Sequence, residues 1–182
     1  MDPRLKARLL PVVIAVAVTV GLDQWTKQLA IEHLQGQPDI LYWGELLRLT
    51  FVRNTGAFLS LGSDLGPLLR TLLLEVFPTV LLLALLVYIF RERRLNRWQV
   101  IALALIVGGG LSNIVDRLLF GHVVDMLHMK VGSLQTGIFN VADMAIMAGM
   151  FIMLPFAFQK EPDDTPQPVQ APAERAPTET QP

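Results

Sequence analysis

Apolar residues along the chain fall into four long blocks rather than into stripes with helical or strand spacing, a distribution expected of a protein that uses lipid as its solvent. The first block starts at Leu9, stays apolar to Leu22 and continues through Gln24-Trp25-Thr26-Lys27 in helix-compatible residues to about Ile31. The second runs from Leu68 to Phe90, interrupted by Arg70, Glu75 and Pro78. The third, Trp98 to Val115, carries no charge, and at 1.5 Å per residue it matches a hydrocarbon core roughly 30 Å thick. The fourth, Gly137 to Phe158, has Asp143 as its sole ionisable residue. The pattern predicts a membrane all-α fold with four transmembrane helices over about 9–31, 68–90, 98–115 and 137–158, all within one domain covering residues 1–160.

The remaining segments are read by contrast. Ile40-Leu41-Tyr42-Trp43 and Leu47-Arg48-Leu49-Thr50-Phe51-Val52, separated by Gly44, predict short strands lying on the membrane surface. Residues 117–136 predict a short loop or helix on the same side, and residues 161–182, rich in Pro, Gln, Thr, Glu and Ala, predict a disordered tail. Arg4, Lys6 and Arg8 before the first block imitate the start of a secretory signal. The small-x-small match Ala15-Val16-Ala17 sits inside the apolar run instead of after it, so cleavage there is not expected.

Composition adds little to this. The 52% apolar content is too high for an ordinary soluble domain, and the absence of cysteine removes disulfides, thiolate metal sites and a cysteine nucleophile. A net charge of −1 decides nothing, but the placement of cations does. Arg4, Lys6 and Arg8 precede the first helix, and Arg91, Arg93, Arg94 and Arg97 crowd the second link. Both should therefore be cytoplasmic, with the C-terminus and Lys160 on the same side. No internal repeat is visible, which disfavours an inverted-repeat transporter.

An ionisable group inside a span needs a partner, a wet cavity or a function. Counted along their helices from the cytoplasmic boundary, Asp23 lies at about 21 Å, Glu75 at about 24 Å, Asp116 at about 28 Å and Asp143 at about 25 Å. Helices alternate in direction, so this common depth predicts one polar site opening outward. Asp23 with Lys27, four residues on, reads equally as an interfacial ion pair, and Glu75 reads as an interfacial partner of Arg70. Asp143 has no cation within a turn or two and is the clearest candidate for chemistry. Gly108-Gly109-Gly110 suits close helix packing or a groove, shared with Gly21, for a ligand. Asn54, Asn113 and Asn140 supply amides near the same depth.

Five segments in series resemble the bacterial lipoprotein signal peptidases, also called signal peptidase II. They are Asp23-Gln24-Trp25-Thr26-Lys27, Asn54-Thr55-Gly56-Ala57-Phe58, Gly108-Gly109 with Asn113-Ile114-Val115-Asp116-Arg117, Val123-Val124-Asp125, and Phe139-Asn140-Val141-Ala142-Asp143. The resemblance implies a catalytic pair of Asp125 and Asp143. It gives supporting or substrate-binding roles to Asp23, Lys27, Asn54, Gly56, Gly109, Asn113, Asp116, Arg117 and Asn140. Ser112, Met126 and Leu59 depart from the family's usual residues.

The implied activity is a membrane aspartic endopeptidase that removes signal peptides from lipid-modified prolipoproteins just before the diacylglyceryl-cysteine, at the outer face of the bacterial inner membrane. Membrane lipids are expected partners; nucleic acid, cofactor and metal are not, and a monomer is expected. His33, His122 and His128 lack the spacing of metal ligands. Two rival readings exist: a small transporter or proton-conducting channel with Asp23, Asp116 and Asp143 as a relay, which should distribute acids through the membrane depth, and a non-catalytic assembly protein with a polar lipid-binding pocket.

Overall fold

The computed structural model of the chain describes residues 3–56 and 65–158. Its helices are α1 (Pro3–His33), α2 (Pro67–Arg91), α3 (Arg97–Phe120) and α4 (Val141–Ala157). The first three are long and apolar enough to cross a membrane, and α4 is a shorter apolar helix of 17 residues. The tail 161–182 and Lys160 lie outside the described residues, as do Ala57, Phe58 and Leu59.

Three helix boundaries differ from the hydropathy pattern: α1 begins at Pro3 rather than Leu9, α4 begins late and α3 ends late. α4 begins at Val141 rather than near Gly137, because Asn140 adopts an extended N-cap conformation and forms a reciprocal capping box with Asp143. Asp143 therefore sits in the first turn, not within a span starting at 137. α3 starts at a second capping box, Asn96 with Gln99, and runs past Val115 to Phe120, ending at Gly121 in the left-handed conformation with φ 73°. Asp116 and Arg117 consequently lie on the helix; their charges do not terminate it because both are partnered inside the protein.

α2 contains one wide turn, Leu72–Val76, in which the Phe77 N–H donates to Leu72 O five residues back. Pro78 follows immediately, and a wide turn is one way to accommodate its missing donor and its ring. The far end of α2 is closed by Arg8 of α1. Its guanidinium donates through Nη1 to Ile89 O at 2.7 Å and Glu92 O at 2.5 Å, and through Nη2 to Arg93 O and Leu95 O. Carbonyls that a helix end leaves without partners are thereby satisfied.

α3 is the central element. Its apolar positions Val100, Leu103, Ala104 and Val107 pack with Val12 of α1 and Ile89 of α2. Its glycines bring each neighbour close. A Cβ at Gly108 would press on Thr19 and Val16 of α1, one at Gly109 would overlap the Ala142 carbonyl of α4, and one at Gly110 would meet Leu82 of α2. Gly21, by contrast, faces open space. The triplet thus packs helices, and a groove shared by Gly21 and the triplet is not what these glycines form. Leu10, Leu68, Phe77 and Phe151 point away from the bundle and are exposed.

At one end of the bundle lies a four-stranded antiparallel sheet in the order β1 (Ile40–Tyr42), β2 (Leu47–Asn54), β3 (Val123–Val131), β4 (Leu134–Gln135). The first two strands fall where they were predicted. β3 does not: most of the segment expected as a loop or helix is strand. Val123, Val124, Asp125 and Met126 are all buried, so this strand lacks the alternation that marks a half-exposed one. Its partner β2 carries a bulge: Leu49 pairs with Leu127 and Val52 with Asp125, so two residues of β2 face one of β3.

Candidate active site

Three segments meet beneath the sheet. Val124 and Met126 of β3 pack on Ala30 and Leu34 of α1, which anchors the strand to the bundle. The approach to α4 is tied to the same strand, because Phe139 O accepts from the N–H groups of Met126 and Leu127, and Phe139 N–H donates to Leu127 O. Asn140, the next residue, is thereby brought beside Asp125.

The hydrogen bonds run through asparagine amides. Asn140 Nδ2 donates to Asp125 Oδ1 at 2.6 Å, and Asn54 Nδ2 donates to Asp125 Oδ2 at 2.8 Å. Asn54 pairs with Val123 in the ladder, so Asp125 is its diagonal neighbour on the same face. Asp143 Oδ1 accepts from Asn113 Nδ2 at 2.9 Å, and Oδ2 accepts from the Asn140 N–H at 3.2 Å. Asn140 therefore touches both carboxylates, one through its side chain and one through its backbone. A cavity of about 20 Å³ lies between them, lined by Asn113, Arg117, Asp125, Asn140 and Asp143 among others. That is about the space one water molecule needs.

Asp125 is 2% exposed. Burial is the main influence on its carboxyl, pushing it from 3.8 up to about 6; the Asn54 amide opposes this, the charge of Asp143 adds to it, and the Asn140 amide opposes it again.

Behind the pair is a buried ionic network. Lys27 Nζ lies 2.6 Å from Asp23 Oδ2 and 2.6 Å from Asp116 Oδ2, and it donates to Asn113 Oδ1 at 3.0 Å. Asp23 also accepts from Ser112 Oγ at 2.7 Å and from the Ala142 N–H at 2.8 Å, and Asp116 accepts from Gln24 Nε2. Asp23, Lys27 and Asp116 are each buried, so the alternative of a solvated interfacial pair for Asp23 and Lys27 is set aside. The network joins α1, α3 and the start of α4, and through Asn113 it reaches Asp143.

Arg117 closes the other side, donating to Asn113 O and to Gly56 O, while the Gly56 N–H donates to Asn54 Oδ1. Its Nε is buried without a hydrogen-bond partner among the described residues. Gly109 acts at one remove, by letting α4 approach α3.

Ten candidates thus connect through direct bonds, and Gly109 sets the helix distance. Glu75 lies on the wide turn of α2 and His122 on the bend after α3; neither bonds to the pair. Gln24 and Ser112 belong to the network but were not singled out. Their spacing with Asp23, Lys27, Asn113 and Asp116 on apolar helices is the signal that could have found them. Arg48 and His128 line an open groove of about 320 Å³ that also contains Asp125. Burial, then Arg48 and Lys130, hold the His128 imidazole below its ordinary value.

Comparison with known proteins bears on this geometry. A family model described as signal peptidase (SPase) II matches residues 14–159. The chain belongs to the signal peptidase II family. It is accordingly a peptidase and a membrane protein. Similar members include the lipoprotein signal peptidases of Nostoc punctiforme, 39% identical over 163 residues covering 89% of this chain and 97% of that one, and of Chlorobium phaeobacteroides, 38% identical over 152 residues covering 78% and 91%. The fold is shared with a bacterial membrane enzyme solved by the in meso method at 1.9 Å resolution. The TM-score is 0.74 at 22% identity, covering 84% of this chain and 96% of that one.

Proposed function

We propose that this signal peptidase II is an aspartic endopeptidase that removes signal peptides from lipid-modified prolipoproteins, cutting just before the diacylglyceryl-cysteine with Asp125 and Asp143 as the water-activating pair. The observation that carries the chemistry is the one-water cavity bounded by both carboxylates. The substrate class rests on the relatives, which are lipoprotein signal peptidases.

Two carboxyl groups facing one water share a proton, because ionising both at short range is unfavourable. The proton is assigned to Asp125, whose carboxyl is pushed up to about 6. Asp143 takes a proton from the water as its oxygen attacks the scissile carbonyl, and Asp125 donates a hydrogen bond to the developing oxyanion. On collapse the C–N bond breaks and the proton held by Asp143 passes to the leaving amine. Asn54, Asn113 and Asn140 hold the carboxylates in place, and Arg117 adds a positive charge at the rim.

The arginine-rich end of the bundle is cytoplasmic in this reading, as its basic residues favour, with both helix-bundle termini on that side. The site then opens near the outer face of the inner membrane. Acyl chains of the substrate lie in the outer leaflet while its peptide follows the groove along the sheet, and the enzyme acts as a monomer. The test is cleavage of a purified lipidated precursor by Asp125→Asn and Asp143→Asn. Each should lose a factor of about 10²–10⁴ or more in kcat while still unfolding cooperatively at acid pH, with Asp125→Asn within about 1–3 kcal/mol of the wild type. Wild-type turnover in either variant removes that residue from the pair.

A further inference from the structure

At the end of the bundle opposite the carboxylates, a cavity of about 340 Å³ opens between the start of α1 and the link from α2 to α3. Its wall carries Arg8, Arg93 and Arg97, and its floor is apolar, with Leu95, Val100 and Ile101. No acidic side chain is among the described residues lining it. We propose that this cavity binds the phosphate-bearing headgroup of an anionic membrane phospholipid.

Each part of the wall contributes to that fit. Arg8 is fixed in the wall by its four carbonyl acceptors, and no carboxylate among the described residues lining the cavity cancels its charge. Arg93 and Arg97 are exposed at the mouth, and the Arg97 guanidinium lies 4.9 Å from the centroid of the Trp98 ring. That ring is 51% exposed, on a helix end where tryptophan occupies the headgroup level of a bilayer. Pro11, also in the wall, has no N–H, so the Ala7 carbonyl beside it lacks its i+4 helical donor and can accept from a headgroup hydroxyl.

A group that complements two exposed arginines beside a carbonyl-bound third, above an apolar floor, is an anion joined to an apolar body. Free phosphate has the anion alone, and a zwitterionic lipid brings its own cation. Basic residues close to a bilayer surface each favour anionic lipid by an amount that, for two arginines, multiplies affinity about thirtyfold.

The test uses the full chain, stripped of lipid in neutral detergent and titrated with phosphatidylglycerol or phosphatidylcholine of equal chain length. Bound lipid is counted by native mass spectrometry. Phosphatidylglycerol should bind as one retained molecule at least about tenfold tighter than phosphatidylcholine. The pair Arg93→Gln with Arg97→Gln should lose about thirtyfold of that affinity with phosphatidylcholine unaffected. Arg8 is left intact because it caps α2. Lys6→Gln, which removes a nearby cation outside the cavity, should leave binding close to wild type. Equal binding of the two lipids, an unchanged affinity in the double variant, or an equal loss in Lys6→Gln overturns the proposal. So does displacement of the lipid by millimolar inorganic phosphate, which would make this a site for the free anion.

Discussion

Replacing Asp125 with Asn separates the electrostatics of the site from its catalysis. In the folded protein burial holds this carboxyl at about 6, against 3.8 for an unperturbed group, a difference worth about 3 kcal/mol. The folded state therefore binds the proton more tightly than the unfolded chain. As pH rises through the window from about 4 to about 6, the unfolded chain has already lost a proton that the native protein keeps, so native stability declines. Above pH 6 the whole of about 3 kcal/mol is missing. Asn does not titrate, so the variant lacks this decline.

The substitution carries a constant cost as well. It sets an NH₂ group against either the Asn54 or the Asn140 amide, both of which donate to Asp125, and a mismatched buried donor costs about 1–3 kcal/mol. That cost is the same at every pH and cancels when each protein is compared with itself. Thermal unfolding in detergent micelles from pH 4 to pH 7 is the assay. At about 2–4 °C per kcal/mol for a chain of this size, the wild type should lose about 6–12 °C more than the variant across that range. Parallel profiles would refute the claim that burial controls this carboxyl.

Other substitutions probe the supporting structure. Lys27→Met leaves Asp23 and Asp116 buried without their shared cation and should cost about 3–5 kcal/mol in unfolding experiments, with part recovered by adding Asp116→Asn. Gly109→Ala drives a methyl into the Ala142 carbonyl; the expected loss is about 1–3 kcal/mol, with kcat falling more than KM rises because Asp143 moves with α4. Gly21→Ala, in open space, should be neutral or stabilising by about 0.5–1 kcal/mol in the same assay. Asn140→Asp keeps a capping oxygen but loses the amide donor to Asp125, so it should hold helix stability better than Asn140→Ala while both lose activity. The pH profile of kcat should fall on its alkaline side with an apparent pKa of about 6 or higher, because a bound substrate excludes more water from Asp125.

The spans were legible because lipid demands long uninterrupted apolar runs, and the strands β1 and β2 because they are short, β-rich and separated by Gly44. Helix ends were less legible where polar residues are used for packing rather than for stopping. Asn140 and Asp143 read as groups within a span, yet they cap its start. Arg117 reads as the start of a loop, yet it continues α3 because its charge and that of Asp116 find partners inside. β3 escaped because burial on both faces erases alternation. The depth of Asp23, Asp116 and Asp143 was readable by counting residues, whereas the amides linking Asp143 to Asp125 depend on a strand pairing that no local pattern announces. Asp125 was legible through the family resemblance alone.

The glycine triplet gives α3 a phase as well as a packing surface. Gly108, Gly109 and Gly110 each face a different helix, and Ser112, Asn113 and Asp116 follow within two turns. Adding or removing one residue upstream would swing every later side chain by about 100° and shift it by 1.5 Å. The three notches would then meet the wrong neighbours, and the polar residues would turn away from Lys27 and Asp143 together. α3 can therefore accept changes of residue far more readily than changes of count.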